Sequence, residues 1–124
     1  MDIKVSNLGK TWIFDLDGTI VKHNGYKIDG VDTLLDGVKD FFENTISIND
    51  LVIFVTSRKT EYKEMTEKFL IDNGIRFDHI IYEAPYGERF IVNDSKPSGL
   101  VNAISIPTIR DRFMDYNIIV DDSL

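Results

Sequence analysis

The chain has 124 residues, 43% of them apolar and 28% charged, with a net charge of −7 and no cysteine. That length suits one compact domain over residues 1–124, with a composition that is globular rather than disordered or fibrous. The missing cysteines exclude a disulfide scaffold, a thiolate zinc site and a cysteine nucleophile, and the acidic balance argues against broad electrostatic binding to nucleic acid or anionic lipid.

Apolar runs such as Leu51–Val55 reach only about five residues, against about twenty needed to cross a bilayer, so no membrane association is expected. The start, Met1 to Ser6, lacks the basic and apolar regions of a secretory signal, which makes the cytoplasm the expected compartment. In chain order, Trp12-Ile-Phe14 is a short apolar run leading straight into Asp15, the pattern of a strand buried on both faces. Asn24-Gly25 then sits between β-prone flanks from Ile20 to Ile28, which predicts a hairpin flap with a type I′ turn. Leu34, Leu35, Val38, Phe41 and Phe42 recur at helical spacing behind Asp32 or Thr33 as caps, and this helix should end near Asn44.

Leu51–Val55 is the second strand. A second helix is predicted from Thr60, with Glu61 and Glu64 in its favourable first turn, Tyr62, Met65, Phe69 and Leu70 buried, and a stop at Gly74. Phe77–Tyr82 reads as the third strand and Phe90-Ile-Val92 as a fourth, ending in Asn93 and Asp94. Pro97–Leu100 suggests a short helix or turn, Ala103–Ile106 a fifth strand and Ile118–Val120 a sixth. Alternating strands and helices predict an α/β sandwich around a mainly parallel sheet, in which ligands bind beyond the carboxyl ends of the strands. Asp15 and Asp17, Thr56 and Ser57, and Asp94 would then gather at one edge.

Two carboxylates at a buried strand end repel each other and lose hydration, a difficulty that a divalent cation removes. Magnesium, the cofactor this predicts, takes hard oxygen ligands, with Asp15, Asp94 and a backbone carbonyl near Asp17 as candidates. A phosphoryl group bound there needs an in-line nucleophile, charge neutralisation and a proton for its leaving oxygen. Asp15 can attack to form an aspartyl phosphate, while Asp17 protonates the leaving group and later activates water. Gly18 lets the chain turn close to the phosphate, and Thr56 and Ser57 offer hydroxyls. Lys96, Arg89 and Arg58, preferred in that order, are candidates for the cation that completes the clamp.

Asp15-Leu-Asp-Gly-Thr19 after an apolar strand, followed by strand-Thr56 and strand-Asn93-Asp94, resembles the haloacid dehalogenase superfamily of phosphatases over nearly the whole chain. The resemblance implies a three-layer Rossmann-like fold, magnesium, Asp15 as nucleophile, Asp17 as acid and base, Thr56 as phosphate ligand and Asp94 as metal ligand. Superfamily dehalogenases lack the second aspartate, so Asp17 favours phosphoryl chemistry. Thr56-Ser-Arg58, Gly87-Glu-Arg89 and Asn93-Asp-Ser-Lys-Pro97 look like small capless members associated with capsule or polysaccharide biosynthesis, implying a sugar phosphate as substrate. The usual lysine before the last acidic motif has no obvious match among Lys59, Lys63 and Lys68.

The intervals from Thr19 to the first helix and from Tyr82 to Phe90 have no room for a cap domain, and the resemblance then implies an open site that a large phosphorylated substrate or a neighbouring subunit closes. Self-association is expected, and nucleic acid is not an expected partner. Asp121-Asp122 rivals Asp94 as an acidic motif but reads as a solvated tail, and His23 reads as a turn-tip surface residue. The competing functions are a receiver-like phosphoacceptor domain and a catalytically silent phosphate-binding module.

Overall fold

A computed structural model describes residues 1–124. In chain order it contains β1 (Asp2–Val5), β2 (Thr11–Phe14), α1 (Gly25–Ile28), α2 (Val38–Asn44), β3 (Leu51–Val55), a 3-10 turn (Thr60–Tyr62) running into α3 (Lys63–Asp72), β4 (His79–Ile81) and β5 (Asn117–Val120). Every strand pairing is parallel. One sheet has the order β2-β3-β4, with Trp12 opposite Val52 and Phe54 opposite Ile80; the other pairs β1 with β5. The protein is thus a small α/β fold with parallel sheets and no barrel, and none of its helices is long and apolar enough to cross a membrane.

Aromatic side chains build the core between β2, β3 and α2. Phe14, Phe42 and Phe54 lie with centroids 5.2 to 6.2 Å apart, and Trp12 meets Phe41 edge-on at 5.3 Å. Val38, Leu70 and Ile75 complete the same cluster, so α2 and the end of α3 are anchored on it. At roughly 1.5–3 kcal/mol for each large apolar side chain buried, this cluster is what fixes the ends of β2 and β3 beside each other.

Several predicted elements differ in the structure. The flap is not a hairpin. Asn24 does adopt the left-handed conformation, φ 55°, but Gly25 begins one helical turn in which Lys27 and Ile28 donate to the Asn24 carbonyl, and this buries Tyr26. The helix predicted from Asp32 or Thr33 starts only at Val38, after Gly37 at φ 89°. Val21 instead bridges Leu34, and Leu35 donates to the Ile20 carbonyl, so residues 34–35 are drawn into extended pairing. β2 is an edge strand with Ile13 48% exposed, so it is not buried on both faces; the predicted strand Phe90–Val92 does not form, and Phe90 and Val92 are 86% and 95% exposed. Ala103–Ile106 is also irregular, whereas the predicted sixth strand, β5, pairs with β1, an element the sequence pattern did not signal.

Asp50 holds the start of β2 against the loop before β3. Its carboxylate accepts from the Lys10 N–H, the Trp12 indole Nε1 and the Ser47 N–H at 2.9 to 3.0 Å. Burial would raise its pKa, but these donors outweigh that and hold it below its ordinary 3.8. A depressed folded-state pKa stabilises fully above the unfolded value and is lost as pH falls through the folded one. Asp50→Ala should therefore cost about 2–3 kcal/mol in urea unfolding at pH 7, by leaving donors unpaired, and the gap to wild type should narrow as the pH is lowered through the acid range.

Candidate functional site

The chain beyond β2 closes into a turn around a buried carbonyl. Leu16 accepts the N–H groups of Thr19, Ile20 and Val21 at 3.2, 2.9 and 3.2 Å, and Leu16, Ile20 and Val21 are all core residues. Gly18 is at φ 81°, and a Cβ there would meet Arg110 Cγ at 3.3 Å, so only glycine suits the turn. Its N–H donates to the Val21 carbonyl at 2.7 Å and is not available to a phosphate. Gly18 thus supplies the turn but no phosphate ligand. A distant segment clamps this turn: Asp111, at φ 64°, donates its N–H to the Gly18 carbonyl at 2.8 Å and accepts the His23 N–H on Oδ1 at 2.7 Å.

Asp15 stands at the carboxyl end of β2 with its side chain 41% exposed. Thr19 donates its hydroxyl to Oδ2 at 3.0 Å, and Arg89 pairs with Oδ1 at 3.0 Å. Of the three cations considered for the phosphate clamp, Arg89 is the one at the nucleophile. Lys96 is exposed and has no side-chain partner, because its segment runs past the sheet without pairing to it.

Asp17 points at Arg58, which leaves the end of β3. Arg58 Nε and Nη2 donate to the two Asp17 oxygens at 3.1 and 2.9 Å, and Nη1 and Nη2 donate to the two Asp32 oxygens at 2.9 and 2.6 Å. Nη1 also donates to Thr66 Oγ1 at 2.9 Å, and the guanidinium carbon lies 3.9 Å from the centre of the Tyr26 ring. The residue is only 3% exposed. Burial opposes the charged guanidinium, but the bonds to Asp32 and Asp17 outweigh it and raise the Arg58 pKa above its ordinary value. Burial, then the Asp17 charge, likewise raises the Tyr26 phenol. Arg58 is therefore neither solvated nor a phosphate clamp: a guanidinium has five N–H donors, and all five are committed within the protein.

Thr56 is 1% exposed at the end of β3. Its N–H reaches the Ile81 carbonyl, its carbonyl accepts from Ala84, and its hydroxyl accepts the Arg58 N–H at 3.1 Å. The hydroxyl proton is left to give. Ser57 follows it, half-buried and with no hydrogen-bond partner in the chain. Asp94 is not gathered with Asp15 and Asp17: it is exposed on the irregular segment after Phe90, and no cluster of three or more acidic or histidine side chains suited to a metal forms anywhere in the chain. The Asp121 and Asp122 carboxylates also lie apart from Asp15, accepting from Ser123 and Asn7 beside the β1–β5 sheet.

The donor set for magnesium is consequently smaller than expected. Arg58 holds one lone pair of each Asp17 carboxylate oxygen, so the Asp17 group left without any partner is its backbone carbonyl, which accepts no hydrogen bond. Asp15 and that carbonyl make a one-carboxylate set, within the small number of protein ligands that magnesium uses beside water and a substrate phosphate.

No protein-family model and no curated protein matches the chain. Among solved structures, it is similar to part of a "Pnkp1/Rnl/Hen1 complex", with 27% identity and a TM-score of 0.52 over 69% of this chain and 32% of that one. The chain therefore spans about a third of that polypeptide's length. The likeness supports the α/β fold.

Proposed function

We propose that the chain is a phosphohydrolase of the haloacid dehalogenase type, Rossmann-like and capless, which hydrolyses phosphate monoesters through an aspartyl phosphate on Asp15. The observation that carries this reading is the half-exposed Asp15 at a strand end, with a cation, Arg89, paired to its Oδ1. Thr19 holds Oδ2, so Oδ1 is the oxygen that attacks. An entering phosphoryl group takes Arg89 from Asp15, and the guanidinium neutralises its equatorial oxygens. Thr56 offers its hydroxyl proton to the same group.

As Oδ1 bonds to phosphorus, the ester P–O bond breaks and the leaving oxygen takes a proton from Asp17. Water then attacks phosphorus, the bond to Asp15 breaks, and Asp17, left by the first step as the carboxylate that accepts from Arg58, takes the water proton and returns to its protonated form. Magnesium, held by Asp15 and the Asp17 carbonyl, supplies positive charge to the phosphoryl oxygens when bound. Phosphorylated sugars are the first substrates to test, and the absence of a cap suits a large substrate or a second protein over the site.

The protein purified in EDTA should not turn over para-nitrophenyl phosphate, and adding magnesium should restore release by about 10²-fold or more, by analogy with loss of one transition-state charge stabiliser. Equal rates with and without magnesium would remove the cofactor from the proposal. Stable phosphorylation by acetyl phosphate without ester hydrolysis would instead favour a receiver-like domain.

A further inference from the structure

Arg58 has no donor left for a substrate, yet the structure devotes to it two carboxylates, a threonine hydroxyl and an aromatic face. Asp32 reaches it from the loop before α2, Thr66 from α3 and Tyr26 from α1, so three separate elements fix one guanidinium. The only one of these partners that lies on the turn bearing the nucleophile is Asp17. Its two oxygens meet Nε and Nη2, the side-on fork that fixes a carboxylate in plane as well as in position. A surface ion pair would leave Asp17 free to rotate. Here the Asp17 side chain is 18% exposed and its partner 1%.

We infer that Arg58, braced by Asp32, Thr66 and Tyr26, is a positioning residue that aims the Asp17 carboxylate at the water which cleaves the aspartyl phosphate. This deepens the phosphohydrolase reading and rests on it. In that step the water oxygen bonds to phosphorus, the electron pair of the phosphorus–Asp15 bond returns to the Asp15 carboxylate, and one water proton passes to Asp17. The proton then serves the next leaving oxygen, so the cycle closes without any other reactant. A misplacement of about 1 Å in such a base costs about 10²-fold, and a lysine at position 58 cannot reproduce a two-point fork.

The test separates the two chemical steps. With para-nitrophenyl phosphate the leaving group departs as its anion, so kcat/KM, which ends with phosphorylation of Asp15, does not need Asp17; kcat includes the water step, which does. Arg58→Lys is expected to lower kcat about 10- to 100-fold while kcat/KM stays within about threefold. A burst of nitrophenolate approaching one equivalent per chain should appear as the phosphoenzyme accumulates. Asp32→Asn, which keeps the side-chain shape and removes one brace, should show the same split to a smaller degree, and it carries the test should Arg58→Lys not fold.

Equal losses in kcat and kcat/KM without a burst, in a variant with an unchanged melting curve, would overturn the positioning role while leaving the phosphohydrolase intact. A wild-type protein that hydrolyses no phosphate ester would overturn the reading beneath it. Retained kcat in both folded variants would also overturn the role, by showing that Asp17 needs no aiming.

Discussion

Asp15→Asn should lower kcat on para-nitrophenyl phosphate by about 10⁴-fold or more, the scale of loss that follows removal of a covalent nucleophile in other hydrolases. The amide is nearly the same size as the carboxylate, and its carbonyl oxygen can still accept from Thr19, whose hydroxyl sits 3.0 Å away. The lost pair with Arg89 is exposed at both ends, 37% and 41%, and such pairs contribute about 0–1 kcal/mol. Stability should therefore change little, and urea unfolding followed by circular dichroism checks that. Wild-type protein quenched in acid during turnover should carry a phosphoryl group on the peptide containing Asp15, and the variant should carry none. Undiminished turnover in Asp15→Asn would rule out the covalent mechanism.

Where local pattern and packing agreed, the fold was legible. Leu51–Val55 is a strand at the predicted bounds, and the helix after Thr60 buries Leu70 and ends before Gly74, whose φ of 71° stops it. The errors came where a distant partner overrode a local signal. Asn24-Gly25 carried a hairpin signature, yet the chain there forms one helical turn that places Tyr26 against the Arg58 guanidinium, 3.9 Å from the ring centre. Asp32 looked like a helix cap because caps and buried ion-pair partners share the same residue type; only the fold brings Arg58 to it, 26 positions away. β1 was missed because it finds its partner, β5, at the other end of the chain.

The same division holds in the site. Asp15 and Thr19 share one turn, so a contact between them was implicit in the spacing of Asp15-Leu-Asp-Gly-Thr19, although Thr19 itself was not singled out. Thr56 follows from its place at the end of β3. Arg89 ranked below Lys96 on motif position alone, and no periodicity in the irregular segment from Ala84 onward could have reversed that order. Asp94 was placed by assuming that Phe90–Val92 forms a strand. Without that strand nothing carries the carboxylate to Asp15. The Asp111 clamp on Gly18 and His23 had no local signal at all, since its partners are about ninety residues away in sequence.

Arg58→Ala is the substitution expected to cost the fold most. It would leave Asp32, whose side chain is 2% exposed, without its counter-charge, and would strip Asp17 of both its donors. Breaking a buried pair from one side costs about 3–5 kcal/mol, a large fraction of the roughly 5–15 kcal/mol that holds a domain together. Urea unfolding should register that loss directly. The exposed pair Lys68–Asp72, 76% and 57% open to solvent, is the control, and Lys68→Ala should change stability by no more than about 0.5 kcal/mol. The two carboxylates and the guanidinium are one unit, so losses should not add: the Arg58→Met, Asp32→Leu double variant removes both charges, fills their space with apolar atoms and should recover about 1–3 kcal/mol relative to the sum of the single changes. Additive losses would mean that Asp32 and Arg58 act on the fold independently. Recovery of stability in the double variant without recovery of turnover would mean that the ion pair is retained for the placement of Asp17 rather than for the stability of the chain.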